Sequence, residues 1–170
     1  MIQKVLWASA LCAGMLSLNV AAHAEQDHHA DQSKHGEHAA NDEHESQVGK
    51  PGTAAQVTRI VKVDMSDAMR YSPATITVKS GETVKFVVKN SGKIKHELVL
   101  GSAKELKEHG AMMRKMPEME HADANMVVVE PGKTGELIWN FNKAGTFEFA
   151  CLQPGHFEAG MKGRLKVAGK

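Results

Sequence analysis

The sequence predicts an all-β fold over about residues 57–170: a two-sheet β-sandwich with antiparallel, Greek-key-like connections. Two observations carry this expectation. About eight short runs alternate apolar and polar residues, most clearly Val84/Phe86/Val88 and Leu137/Trp139/Phe141. Between them stand turn clusters such as Ser80-Gly81-Glu82, Asn90-Ser91-Gly92, Pro131-Gly132-Lys133 and Asn142-Lys143-Ala144-Gly145.

Ahead of the sandwich, residues 1–24 read as a secretory signal. Lys4 supplies the basic start, Val5 to Leu18 the apolar run, and Ala22-His23-Ala24 the small residues that set cleavage after Ala24. The run is too short, and too soon followed by Glu25, Asp27 and His28, to span a membrane. Cys12 lies inside the run behind Leu11, where a lipoprotein signal carries a small residue, so it is expected to be discarded with the signal. No membrane anchor follows, and the expected product is soluble and periplasmic. Residues 25–56 read as a disordered His-rich tail. Val48 is the one large aliphatic in its length before the sandwich pattern begins, too little apolar surface to offset the entropy of ordering.

The expected strands are Thr58–Val63, Ala74–Lys79, Thr83–Lys89, Glu97–Leu100, Met126–Glu130, Gly135–Phe141, Thr146–Cys151 and Gly163–Val167. Phe147, Phe149 and Cys151 share one period-two face, so the cysteine is expected to point inward. Ser102 to Asn125 breaks the pattern. It opens with a helix-compatible stretch, Ala103 to His109, is rich in methionine, and reaches Pro117, which should end the helix near Met116. An excursion of this length is often functional.

Charge excludes some partners. Lys and Arg total 21 against 20 Asp and Glu, and one of the lysines lies in the signal. A balanced mature chain has no general electrostatic grip on nucleic acid or anionic lipid. Nor do the residues suggest an enzyme: there is no serine elbow, phosphate loop or zinc-hydrolase helix, and no His-x-His pair of the multicopper-oxidase kind in residues 57–170.

Past the signal, Cys151 is the single cysteine, so no internal disulfide can form. An unpaired thiol in an oxidising compartment needs protection, and metal coordination provides it. The segment from Cys151 through His156 to Met161 sets a thiolate, an imidazole and a thioether in order, four residues between each pair. With a second imidazole this is the donor set of a trigonal copper site that cycles between Cu(I) and Cu(II). His96 is the best candidate for that second imidazole. Zinc prefers four firm tetrahedral donors and gains little from a thioether, so copper is favoured.

The strand pattern, isolated His96 and the terminal Cys151/His156/Met161 loop resemble the cupredoxin (blue copper) family over about residues 57–170. The resemblance implies His96, Cys151 and His156 as equatorial ligands of one type 1 copper and Met161 as the axial one. Glu97 stands where the electron carriers of the family commonly have Asn, so their redox tuning does not transfer. Within the family the chain resembles the copper-tolerance cupredoxins of Gram-negative bacteria. That likeness implies protection of the envelope from copper, together with a copper-exporting ATPase or a multicopper oxidase. The alternative is a soluble one-electron carrier between redox partners.

Two donor-rich segments add to the site. His28, His29, His35, His38 and His44, spaced among carboxylates, read either as a solvated tail or as a loose multivalent site for Cu(II), Zn(II) or Ni(II). Met112, Met113, Met116 and Met119, flanked by His109 and His121, read either as thioethers packed on the sandwich or as a soft-donor surface for Cu(I). Met65 and Met69 are further candidates for that Cu(I) surface, though the sequence does not place them.

Overall fold

In the computed structural model, which describes residues 47–116 and 122–170, the alternating runs become ten strands in two five-stranded sheets. In chain order these are β1 (Lys50–Pro51), β2 (Arg59–Ser66), β3 (Arg70–Ser72), β4 (Thr75–Lys79), β5 (Thr83–Asn90) and β6 (His96–Gly101). After helix α1 (Ala103–Lys115) come β7 (Met126–Val129), β8 (Thr134–Asn140), β9 (Gly145–Ala150) and β10 (Lys162–Ala168). One sheet runs β1-β8-β5-β2-β3 and the other β4-β10-β9-β6-β7. Most neighbours are antiparallel, as expected, but β2 pairs β5 and β4 pairs β10 in parallel. The chain leaves the first sheet between β3 and β4, so β2 and β5 meet only after a detour through the second sheet.

The inward-facing residues of the two sheets form one core. Val63, Met65, Val84, Phe86, Val88, Leu137 and Trp139 come from one side; Ile76, Val78, Leu98, Leu100, Phe147, Phe149, Leu165 and Val167 come from the other. Each such side chain contributes about 1.5–3 kcal/mol by leaving water. Phe86 and Phe141 meet edge to face at 6.2 Å, and Tyr71 meets Phe149 the same way at 5.0 Å. Met65 lies in this core, and Met69, partly buried, packs against it.

Two features depart from the sequence reading. Residues 47–56 were expected within the tail, yet Val48 is fully buried, β1 pairs with β8, and Ala54–Gln56 form a 3-10 turn. A single aliphatic suffices here because the backbone of residues 50–51 completes a sheet edge. Strand β3 was not expected, since three residues are too few to display a period. The helix ends near Met116 as expected, running to Lys115 with Met116 as its C-cap. The signal (1–24), the tail histidines, Met119 and His121 lie outside the described residues.

Helix α1 starts at a capping box: Glu105 N donates to Ser102 Oγ at 3.2 Å, and Ser102 N donates to Glu105 Oε2 at 2.7 Å. Its inward residues are Leu106, Gly110 and Met113. Leu106 joins Val99, Ala150 and Leu152 in a second cluster on the outer face of β6 and β9. Strand β6 is consequently buried on both faces along its whole length.

Candidate metal centre

Strand pairing brings the first two donors together. The antiparallel register pairs Val99 with Ala150 and Leu100 with Phe149. Extended by one residue it sets Leu98 across from Cys151, and His96 shares the face of Leu98. The loop that follows then folds back. Cys151 N donates to Met161 O at 3.1 Å, Met161 N to His156 O at 3.0 Å, and His156 N to Gln153 O at 2.9 Å. Gly155 and Gly160, at φ 84° and 90°, supply the left-handed turns this path requires.

The result is a tight group. His156 Nδ1 lies 3.2 Å from Cys151 Sγ and 3.2 Å from His96 Nδ1, and all three donor atoms fall within 4.8 Å of one another. Donors sharing one ion at about 2.0–2.3 Å stand about 3–4 Å apart, so the trio fits a single metal. His96, Cys151 and Met161 are fully buried, while His156 is half-buried. Met161 shares the core cluster of Cys151, with its backbone bonded to both Cys151 and His156.

Burial keeps the site's donors neutral until a cation displaces the thiol proton. Burial pushes the Cys151 thiol up to about 12, opposed by backbone N–H groups of Glu97 and Gln153 and reinforced by the charge of Glu97. Burial, with His96 alongside, holds His156 below its ordinary value, which favours the neutral imidazole that can ligate.

Two acidic residues support the trio. Asp67 Oδ1 lies 3.1 Å from His96 Nε2, and Asp67 Oδ2 accepts from Lys93 N at 2.8 Å. That backbone hydrogen bond, more than the neighbouring imidazole, holds the Asp67 carboxyl below its usual range. A carboxylate on Nε2 fixes the tautomer that leaves Nδ1 as the ligating atom. Gly92 makes the approach possible, because a Cβ there would lie 2.0 Å from Asp67 Oδ1. Glu97, on the opposite face of β6 from His96, ties the strand to the loop. Its Oε1 accepts from Leu152 N at 2.8 Å and its Oε2 from Gln153 Nε2 at 2.9 Å. Tyr71 Oη donates to Glu97 O at 2.6 Å. Further out, Arg70 Nη1 donates to Ala159 O at 3.1 Å, and Arg114 pairs with Glu158.

Residues 57–168 match the family described as copper binding proteins, plastocyanin/azurin family. The chain belongs to that family. It is 48% identical over 165 residues to the copper-resistant cuproprotein CopI of Rubrivivax gelatinosus, covering 96% of this chain and 98% of that one. To the protein of the same name in Pseudomonas aeruginosa it is 42% identical over 148 residues, covering 70% and 81%. Among solved structures, auracyanin B aligns with TM-score 0.60 at 19% identity, over 71% of this chain and 96% of that one. The reduced auracyanin of Roseiflexus castenholzii aligns with TM-score 0.56 at 22% identity, over 65% and 97%. These likenesses establish the cupredoxin fold.

Copper is therefore the cofactor of this cupredoxin, and its soft thiolate and imidazole donors suit that metal. Of the sequence candidates, the structure gathers His96, Cys151 and His156 and sets Met161 in the same core. It separates the helical ones: Met113 turns inward, whereas Met112 and Met116 stay outside. Asp67 carries no sequence signal. It lies 29 residues from His96, and only the packing of the Ser66–Met69 turn against Gly92 reveals it.

Proposed function

We propose that this cupredoxin is a periplasmic copper-tolerance protein. In this reading His96, Cys151 and His156 hold one copper ion, Met161 provides a weak axial thioether, and the ion cycles between Cu(I) and Cu(II). The observation that carries it is the convergence of two imidazoles and one thiolate, distant in sequence, on one buried point. The name shared by the relatives, copper-resistant cuproprotein, supports tolerance as the role. Support for redox cycling comes from the scaffold. Donors anchored on β6 and β9 and a loop bonded at both ends leave little to rearrange between oxidation states. With two imidazoles, a thiolate and a thioether around it, the ion has no open position for a substrate, so the protein is not an enzyme. A copper exporter or a multicopper oxidase is the corresponding partner.

Cu(II) added to the purified protein should produce an intense thiolate-to-copper band in the visible, and Cys151→Ser should abolish it. A colourless wild type that prefers zinc would refute the assignment.

One observation favours a second reading, a one-electron carrier. His156 alone of the trio is only half-buried, an edge through which an electron could pass to a docked partner. Deleting the gene separates the two. Copper hypersensitivity supports tolerance, and a respiratory defect with normal copper tolerance supports the carrier.

A further inference from the structure

We infer that one flank of helix α1, formed by His109, Met112 and Met116, is a second and solvent-facing site that binds Cu(I). Leu106, Gly110 and Met113 pin the helix to the sandwich, which fixes where every other position points. Met113 is 6% exposed, whereas Met112 and Met116 are 39% and 40% exposed. His109, Met112 and Met116 follow one another at three- and four-residue steps, the spacing that stacks side chains on adjacent turns of one flank.

Bare thioethers are out of place on this surface. Among the described residues the exposed large hydrophobics are Ile60, Ile94, Met112, Met116 and Val128, so one helix carries two of them four residues apart. Apart from Ala103, the other exposed positions of α1 are charged: Lys104, Lys107, Glu108, Arg114 and Lys115. Met113 already performs the packing role expected of a methionine here, while the pair at 39% and 40% exposure keep part of their surface open to solvent.

The chemistry of the three donors selects the ligand. Two neutral thioethers and an imidazole suit soft Cu(I); Zn(II), which takes thiolate, imidazole and carboxylate, gains little from thioethers. Asp123 Oδ2 lies 3.9 Å from His109 Nδ1, near the ring but beyond hydrogen-bond distance. The helix is capped and held down while methionine side chains are adaptable, so a rigid backbone presents flexible donors. Arg114, which ties α1 to the ligand loop, lies on the other flank, and the two copper sites share no residue.

The test uses the full-length Cys151→Ser protein, which lacks the buried thiolate, with methionine methyl groups labelled with carbon-13. Under anaerobic conditions Cu(I), or Ag(I) as a redox-silent substitute, should shift the Met112 and Met116 methyl signals. The buried Met113 and Met65 signals should stay in place and report an intact fold. Met112→Leu with Met116→Leu should remove one equivalent of Cu(I) relative to its parent, any contribution of the tail histidines being equal in both. Unmoved methyl signals, an unchanged Cu(I) stoichiometry, or equal shifts with Zn(II) would overturn the inference. With Cys151 restored, the double leucine variant should keep the visible copper band. Loss of that band on its substitution would mean the flank serves the buried centre and is no separate site.

Discussion

The two faces of strand β6 do different work with adjacent residues. The inner face presents His96, Leu98 and Leu100 to the sandwich core; the outer face presents Glu97 and Val99 to the ligand loop and helix α1. One face supplies a donor, and the other fastens the loop that carries the remaining donors. A strand at the sheet surface could do the first alone. Burial of its outer side is what lets it do both, since the Glu97 hydrogen bonds are then shielded from competing water.

The largest expected effect comes from the inner face. His96→Ala removes a donor, and titration with Cu(II) should give no stable thiolate-to-copper band. The outer face should act on stability before metal. Glu97→Ala leaves the buried Leu152 N–H without its acceptor, a loss of about 1–3 kcal/mol. Thermal melts of the copper-free protein should show it, whereas a change in copper affinity alone would break the proposed division between the faces. Asp67 sharpens the comparison from outside the strand. Asp67→Ala should weaken copper binding by about 10–100-fold, read by chelator competition, with little change in melting temperature.

A smaller effect appears in the pH dependence. The buried thiol keeps its proton up to about 12, against an ordinary 9.0. Between these values the unfolded chain holds fewer protons than the folded one, so copper-free stability falls as pH rises through that window. Melts across it should fall more steeply for wild type than for Cys151→Ser. Copper must displace the same proton, so affinity should rise with pH in the range below.

Much of this architecture is legible in the sequence because period two is a direct imprint of a half-buried strand. Val84/Phe86/Val88 and Phe147/Phe149/Cys151 each point one way, and the core lies where they point. The loop was legible for a different reason: Cys151, His156 and Met161 are close in sequence and chemically unusual together. Strands β1 and β3 were not, because two or three residues carry no period, and the partner of β1 lies far along the chain. The inward turn of Met113 was also hidden. Helical spacing groups Met112, Met113 and Met116 loosely, and only the anchoring of Leu106 and Gly110 decides which side faces the sandwich. Asp67 was least legible, since its role exists only through contacts with His96 and the Gly92–Lys93 turn, distant in sequence.

The pairing of Val99 with Ala150 has a further consequence. Alternate side chains face opposite ways, so sliding β6 by a single residue along β9 would swing an imidazole outward and bring a carboxyl group in beside the sulfur. What forbids that slip is the bulk of Leu98, Leu100 and Phe149, none of which touches an ion. The greasy interior acts as the gauge that sets the spacing of the donors.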